Sequence, residues 1–470
     1  MSRVIPVFAV LLLLACAIPP PEDPTLATLP IVRLPVEEPE GAAVAPLAVP
    51  DAVVLALKNN PGLAAAAARI AAADEAIRAV AASYLPRLGL SGGYAHTTDP
   101  VQVFMMQLRQ RELRMTGDFN HPGAHGNARA SVEASWLLFD GGRRSAGERM
   151  AQLNSLVEQG ERAAIANELK AAVISTCLAV YEAREFSKVA DKSVALVSEQ
   201  LRIAESRFEA GSAQRSDVLS VEVRLAEARE EVVRARNAGE RALTALRGLL
   251  GMRAVEPLVL ADDPGFRVPP VLGENRIETA LSSRPEVGRG MRGVEMALAG
   301  VNLKEADRRL MLSVYGSWDF DERDGTFGGN RESRTGGFRV DLPVFEGGRT
   351  DAEVAVAKAR VREAKELLRS VVLMVESDVR RAELDLAEAE ERVRVSEKSE
   401  ERAEEALSMI RARYESGAAT ITEYLDAETA LTGARVRGVA SRYQVERATA
   451  DLRRAMGICR AGTEDAEGGA

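Results

Sequence analysis

Phe139-Asp140-Gly141-Gly142-Arg143 and Phe345-Glu346-Gly347-Gly348-Arg349 are two versions of one pentapeptide, 345 − 139 = 206 residues apart. The same offset then runs on without a gap. Phe208-Glu209-Ala210-Gly211 answers Tyr414-Glu415-Ser416-Gly417, Asp217-Val218-Leu219 answers Glu423-Tyr424-Leu425, and Leu250-Gly251-Met252 answers Met456-Gly457-Ile458. Toward the N-terminus, Asn60-Pro61-Gly62-Leu63 answers Arg284-Pro285-Glu286-Val287 at an offset of 285 − 61 = 224. Leu88, Leu90, Gly92 and Tyr94 answer Leu312, Val314, Gly316 and Trp318 at that same offset. The chain is a duplication, and the difference of 224 − 206 = 18 residues marks a longer first-half loop between Tyr94 and Phe139. Because the Gly and Pro positions align as well, two compositionally similar helical stretches do not explain the match.

Each repeat reads helix, strand, loop, strand, long helix, turn, helix. Residues 51–83 are Ala-rich and helical until Pro86. The period then changes to two. Leu88, Leu90 and Tyr94 alternate with Arg87, Gly89 and Ser91, and Val132, Ala134, Trp136 and Leu138 with Ser131, Glu133 and Ser135. The second half repeats this with Leu312, Val314 and Trp318, then with Phe338, Val340, Leu342 and Val344 against Arg339 and Asp341. Strands are expected over 85–98, 126–139, 309–321 and 334–346. A strand of about 10 residues suits a tilted bilayer crossing. Four cannot close a barrel alone, and open edges are not tolerated in lipid, so other copies of the chain must complete it. A polar inner face with Glu133, Arg339 and Asp341 implies a wet lumen. The competing reading is a soluble four-stranded sheet packed on helices.

From Arg349 to Tyr414 there is neither Pro nor Gly, enough for a helix of roughly 95 Å. Its apolar positions form a heptad seam with a stutter before Val379. The helices are expected over 144–208 and 216–250, and over 349–414 and 422–456, with repeat 1 occupying 51–251, a linker 252–273, repeat 2 occupying 274–458, and a disordered tail 459–470. Helices this long must pack side by side along their length. Their charged faces read as solvated surfaces with i,i+4 pairing.

The N-terminus reads as an address. Residues 1–15 form a signal peptide with a basic Arg3 and a short apolar run, and Leu13-Leu14-Ala15-Cys16 resembles a bacterial lipobox in which Cys16 is lipidated. Residues 16–50, rich in Pro and small residues, read as an extended tether. No later stretch approaches a run of 18 apolar residues, so no membrane-spanning helix is expected. Composition agrees with long helices: 46% of the residues are hydrophobic but only 4% aromatic. A net charge of −9 argues against nucleic acid as a partner. Three Cys and three His leave little for a disulfide framework or imidazole chemistry; Cys177 and Cys459 read as free. No catalytic constellation, metal cluster or cofactor motif is apparent, and the Gly pairs at 141–142 and 347–348 are bend-formers lacking the Lys of a phosphate loop.

Two tandem repeats, each with two barrel strands, a long helix, a Tyr/Phe-x-x-Gly turn and an Asp-Val-Leu-type helix start, resemble the TolC-like outer-membrane factor family over 51–458. The lipobox and Pro-rich lead resemble its lipoprotein branch, used in drug efflux. The resemblance implies a fold that is mainly α with membrane β: a homotrimer whose strands, four per chain, form one 12-stranded outer-membrane β-barrel, continued by a helical barrel across the periplasm. It implies a non-enzymatic exit duct in the outer membrane, lipid-anchored at Cys16, docking with a periplasmic adaptor and an inner-membrane transporter. An outlet for protein secretion and a non-pore periplasmic coiled-coil lipoprotein are the alternatives.

The resemblance also places the periplasmic tip at 205–222 and 411–428. It implies that Asp217, Tyr414, Glu423 and Asp426 form the gate, and that Phe208, Gly211 and Gly417 mark the tip turns facing the adaptor. Glu423 and Asp426, three apart, share a helix face; the alternative is that they cap and charge a helix start. Where the family carries an arginine in the second turn this sequence has Ala419, so closure rests on other contacts, Arg215 among them. The loop 99–127, with Met105, Met106, Met115, His121 and His125, and with His96 just before it, is expected outside the cell as a flexible segment. A metal site from Asp118, His121 and His125 is the less favoured reading.

Overall fold

The structure is a computed structural model that describes residues 46–113, 118–262, 267–271, 273, 275–323 and 331–459. The signal peptide, Cys16, most of the tether, Met115 and residues 460–470 of the expected tail lie outside the described residues.

Repeat 1 folds as α1 (Val49–Asn59), α2 (Pro61–Ala82), β1 (Arg87–Thr97), α3 (Pro100–Arg109), β2 (His125–Phe139), α4 (Arg143–Glu209) and α5 (Arg215–Leu249). Repeat 2 follows as α6 (Arg276–Ser283), α7 (Pro285–Ala306), β3 (Met311–Glu322), β4 (Glu332–Asp341), α8 (Arg349–Glu415) and α9 (Ile421–Ala455). The offset of 206 maps α4 onto α8 and α5 onto α9 residue for residue, 67 residues in each long helix and 35 in each returning one.

Four details depart from the sequence reading. The helix expected over 51–83 begins at Val49 and is broken at Asn60, because Pro61 disfavours helical backbone before it and the Asn60 side chain caps α2 through Gly62 N–H at 2.9 Å. β4 stops at Asp341, so Leu342 and Val344 lie beyond it; Pro343 has no N–H to continue the ladder. The loop 99–127 contains α3, and its His125 opens β2. Cys459, assigned to the tail, is buried in a core cluster with Cys177, and both are free thiols.

The chain divides into two compact units. One holds Asp74–Gln152 and Glu295–Val361 and contains the sheet. This is an antiparallel meander in the order β1-β2-β3-β4, so among the described residues β1 and β4 each have one unpaired edge. The register sorts most of the side chains by polarity. Leu88, Leu90, Val132, Trp136, Val314, Trp318, Phe338 and Val340 fall on one face, and Arg129, Ser131, Glu133, Ser317, Asp319, Asp321 and Arg339 on the other. The apolar face is uncovered: Leu88 is 77% exposed and Phe338 72%. Each such side chain left in water forgoes about 1.5–3 kcal/mol. On the polar face Asp319 accepts from Arg129 at 2.6 Å and from Ser131 at 2.7 Å.

The other unit holds residues 46–73, Leu153–Val294 and 362–459. Two of its cores are related by the repeat. In one, Val49, Val53, Val173, Cys177, Leu246 and Leu250 pack together; in the other, Ala280, Val287, Val375, Val379, Leu452 and Met456. A window of α4 is long and apolar enough to cross a membrane by composition. Its Leu169, Val173, Cys177 and Val180 are instead buried in the first of these cores.

Candidate functional site at the helix–turn–helix tips

α4 and α8 end alike. Gly211 and Gly417 take φ of 75° and 78°, a left-handed conformation that glycine adopts without a Cβ penalty. Each turn is closed by a carbonyl five residues back: Ser212 N–H donates to Arg207 O at 2.8 Å, and Ala418 N–H to Arg413 O at 2.7 Å. The helices that follow start on matching caps. Asp217 accepts from Gln214 N–H at 3.1 Å. Glu423 accepts from Thr420 N–H at 2.7 Å and from its hydroxyl at 3.1 Å, while Glu423 N–H donates to the Thr420 hydroxyl at 3.2 Å. Those donors, the backbone N–H first, hold the Glu423 carboxyl below the usual glutamate range.

Beneath the caps Val197, Ala204, Val218, Val221, Tyr414, Ile421 and Tyr424 form a small apolar core. The Tyr414 and Tyr424 rings lie 5.7 Å apart, and the Arg207 guanidinium sits 4.6 Å over the Tyr414 ring. Burial pushes the Tyr424 phenol up from its ordinary pKa. Tyr414 is therefore packed rather than free. Arg215 lies over the Phe208 ring at 6.0 Å within the same protomer, and Ala419 packs at the edge of the core. Asp426 is the exception. It is exposed, and among the described residues its carboxylate has no hydrogen-bond or ion-pair partner.

Two charged residues that the sequence reading did not single out prove central. Glu428 is 1% exposed. One of its oxygens accepts from Arg224 Nε at 3.0 Å and from a terminal guanidinium nitrogen at 2.9 Å; the other accepts from Ser193 at 2.7 Å and Thr432 at 2.8 Å. The node ties α4, α5 and α9 together next to the tip core. Nothing local signals it, because Arg224 and Glu428 are 204 residues apart in sequence.

The other singled-out residues are scattered. His121 pairs with Asp118 at 3.1 Å, whereas His125 is buried against Gln110 at 2.8 Å. No group of three His, Cys, Asp or Glu side chains able to hold a metal occurs among the described residues.

Comparison with known proteins agrees with this architecture. The chain is 28% identical to protein CyaE of Bordetella pertussis over 399 residues, 84% of this chain and 80% of that protein. It is 25% identical to the pyoverdine export outer membrane protein OpmQ of Pseudomonas aeruginosa over 415 residues, 86% of this chain and 83% of that one. The solved structure of CusC, described in terms of transmembrane channel formation, superposes with a TM-score of 0.76 at 17% identity, covering 87% of this chain and 92% of that chain. The fold is that of TolC-like outer-membrane channels, which are not enzymes. The profile described as Outer membrane efflux protein matches residues 52–252 and 276–458, both repeats, and the chain belongs to that family.

Proposed function

We propose that the chain is the passive exit duct of a tripartite efflux system. Three copies pair their free β1 and β4 edges, 3 × 4 = 12 strands in all, into one ring in the outer membrane. Their helices continue the ring into the periplasm. A periplasmic adaptor docks on the tips around Phe208, Gly211 and Gly417, an inner-membrane transporter supplies the driving force, and a lipid on Cys16 anchors the chain. The observation that carries this is the two-faced sheet with both edges unpaired. In lipid the apolar face loses its exposure cost and ring closure pairs every edge, leaving the polar face to line water.

The tips are the gate of this duct. Three copies gather three Asp426 carboxylates and three Glu423 carboxylates, and such an acidic ring favours cations at a constriction. The test is planar-bilayer recording of the purified full chain together with oligomer migration before and after heating. Discrete conductance steps from a heat-dissociable trimer are expected. A monomer without conductance overturns the reading.

A further inference from the structure

The duplication governs strand pairing as well as sequence. The offset of 224 carries β1 onto β3, and the offset of 206 carries β2 onto β4. Applied to the β1–β2 hairpin, they turn Arg87↔Ser135, Leu90↔Val132 and Tyr94↔Ala128 into Met311↔Asp341, Val314↔Phe338 and Trp318↔Arg334. All three are pairs of the β3–β4 hairpin. The two hairpins share one register, although the segments joining their strands differ in length.

A third pairing, β2 with β3, joins one repeat to the next. The same offsets turn it into a pairing of β4 with β1. Those are the two outer strands, three strand spacings or about 14 Å apart in one chain, so their partner is a second copy. Carried across, Val132↔Trp318, Ser135↔Tyr315 and Trp136↔Val314 become Phe338↔Tyr94, Asp341↔Ser91 and Leu342↔Leu90. Apolar residues meet apolar ones and polar meet polar, which a slip of one residue would undo along the whole strand.

Exposure marks the same seam. Leu138 and Phe139, at the end of β2 alongside β3, are 42% and 49% exposed, whereas their twins Val344 and Phe345 are 89% each. Leu88 and Leu90 are 77% and 70% exposed, whereas Leu312 and Val314, held between two strands, are half-buried. β2 runs on to Phe139 because β3 accompanies it to Leu312, through a bulge between Leu137 and Phe139. β4 stops at Asp341 opposite Met311, where β3 begins and no further partner strand lies beside it among the described residues. Pro343 is the twin of Leu137 and so falls at the bulge, where a missing N–H is tolerated.

We infer that the seam between copies repeats the β2–β3 register. β4 of one copy pairs with β1 of the next so that Asp341 faces Ser91 and Leu342 faces Leu90, an inference that rests on the ring proposed above. Residues 342–345 then continue β4 along Leu88–Leu90 of the next copy, and the strand is completed only in the assembly.

The experiment uses the full chain with paired cysteines. Ser91→Cys with Asp341→Cys, and Leu90→Cys with Leu342→Cys, are adjacent rungs of the inferred ladder, so one of them is the closer, non-hydrogen-bonded kind. Opposed Cβ atoms lie about 4.5–5.5 Å apart and diagonal ones about 7–8 Å, too far for a disulfide. Mild oxidation of at least one matched pair should give covalent trimers that survive heating until a reductant is added. They should form about tenfold or more faster than in controls two residues off. Those controls are Gly89→Cys or Gly93→Cys with Asp341→Cys, and Leu88→Cys or Gly92→Cys with Leu342→Cys. Cys177 and Cys459 are buried, and the unsubstituted protein should give no such bands. If the unsubstituted protein is a conducting trimer, yet neither matched pair links faster than its shifted controls, the seam register is refuted and the duct stands. If the unsubstituted protein neither trimerises nor conducts, both fall.

Discussion

Replacing Glu428 by Leu should loosen the tip far more than replacing Glu428 and Arg224 together. The carboxylate is 1% exposed and the Arg224 side chain 13%, so the single substitution strands a buried guanidinium whose other carboxylate contact, Glu227 at 3.4 Å, is long. It also removes the acceptor shared by Ser193 and Thr432. Breaking one side of a buried ion pair costs about 3–5 kcal/mol, whereas exchanging both members for apolar residues of similar size is often close to neutral. At 1.36 kcal/mol per decade this is roughly two to nearly four decades in the local opening equilibrium. Ser193 and Thr432 can turn back to helix carbonyls when the acid is gone. The assay is amide hydrogen exchange of the first three turns of α9 in lipid-embedded trimers. Glu428→Leu should accelerate exchange by roughly 10²-fold or more, and Arg224→Met with Glu428→Leu should return it to within about tenfold of the unsubstituted protein. Equal exchange in the single and double variants would show that the ion pair does not hold the tip, and the reasoning from burial would fail.

Asp426→Ala should weaken block by multivalent cations applied from the periplasmic side, and Glu423→Ala combined with it should weaken block further; unchanged block in the pair removes both from the gate. The Glu423 carboxyl is lowered in the folded state, so its contribution is complete above the unfolded value near about 4.3 and disappears as pH falls through the lowered one. Protection of the first turn of α9, taken relative to the intrinsic exchange rate at each pH, should therefore fall progressively below about pH 5, and Glu423→Gln should flatten that dependence. Cys16→Ser should abolish incorporation of labelled fatty acid while leaving the trimer able to form; label on that variant would refute anchoring at Cys16.

The repeat, the four strands and the long helices were legible because each rests on a local pattern. Alternation set the strands, the absence of Pro and Gly over 349–414 set the long helix, and Gly211 and Gly417 set its end. Pairings between residues far apart in the sequence left no such pattern. Arg224 and Glu428 each look like any other charged residue on these helices, and only the packing of three helices shows that these two are buried. α3 was missed for a different reason. Its Pro100 and cap Asp99 read equally well as a turn, and ten residues give little periodicity to set against a loop. β4 was overextended because Leu342 and Val344 continue the alternation past Pro343, where the ladder lacks a donor.

The duplication also separates what the fold requires from what the site adds. Asp217 and Glu423 are 423 − 217 = 206 residues apart, and both cap the helix after a tip turn. An acid at that place is explained in both repeats by the orphan N–H groups of a helix start, whatever passes through the duct. Gly211 and Gly417 are explained in the same way. Asp426 has Ser220 at its counterpart position, and Glu428 has the exposed Glu222, whose helix offers no equivalent node. Where the offset holds, chain geometry suffices; where it breaks, a residue has been set apart from its twin for a task the backbone does not demand. On that ground Asp426, exposed and without a partner among the described residues, is the stronger of the two acids for the proposed gate, and Glu423 belongs first to the cap.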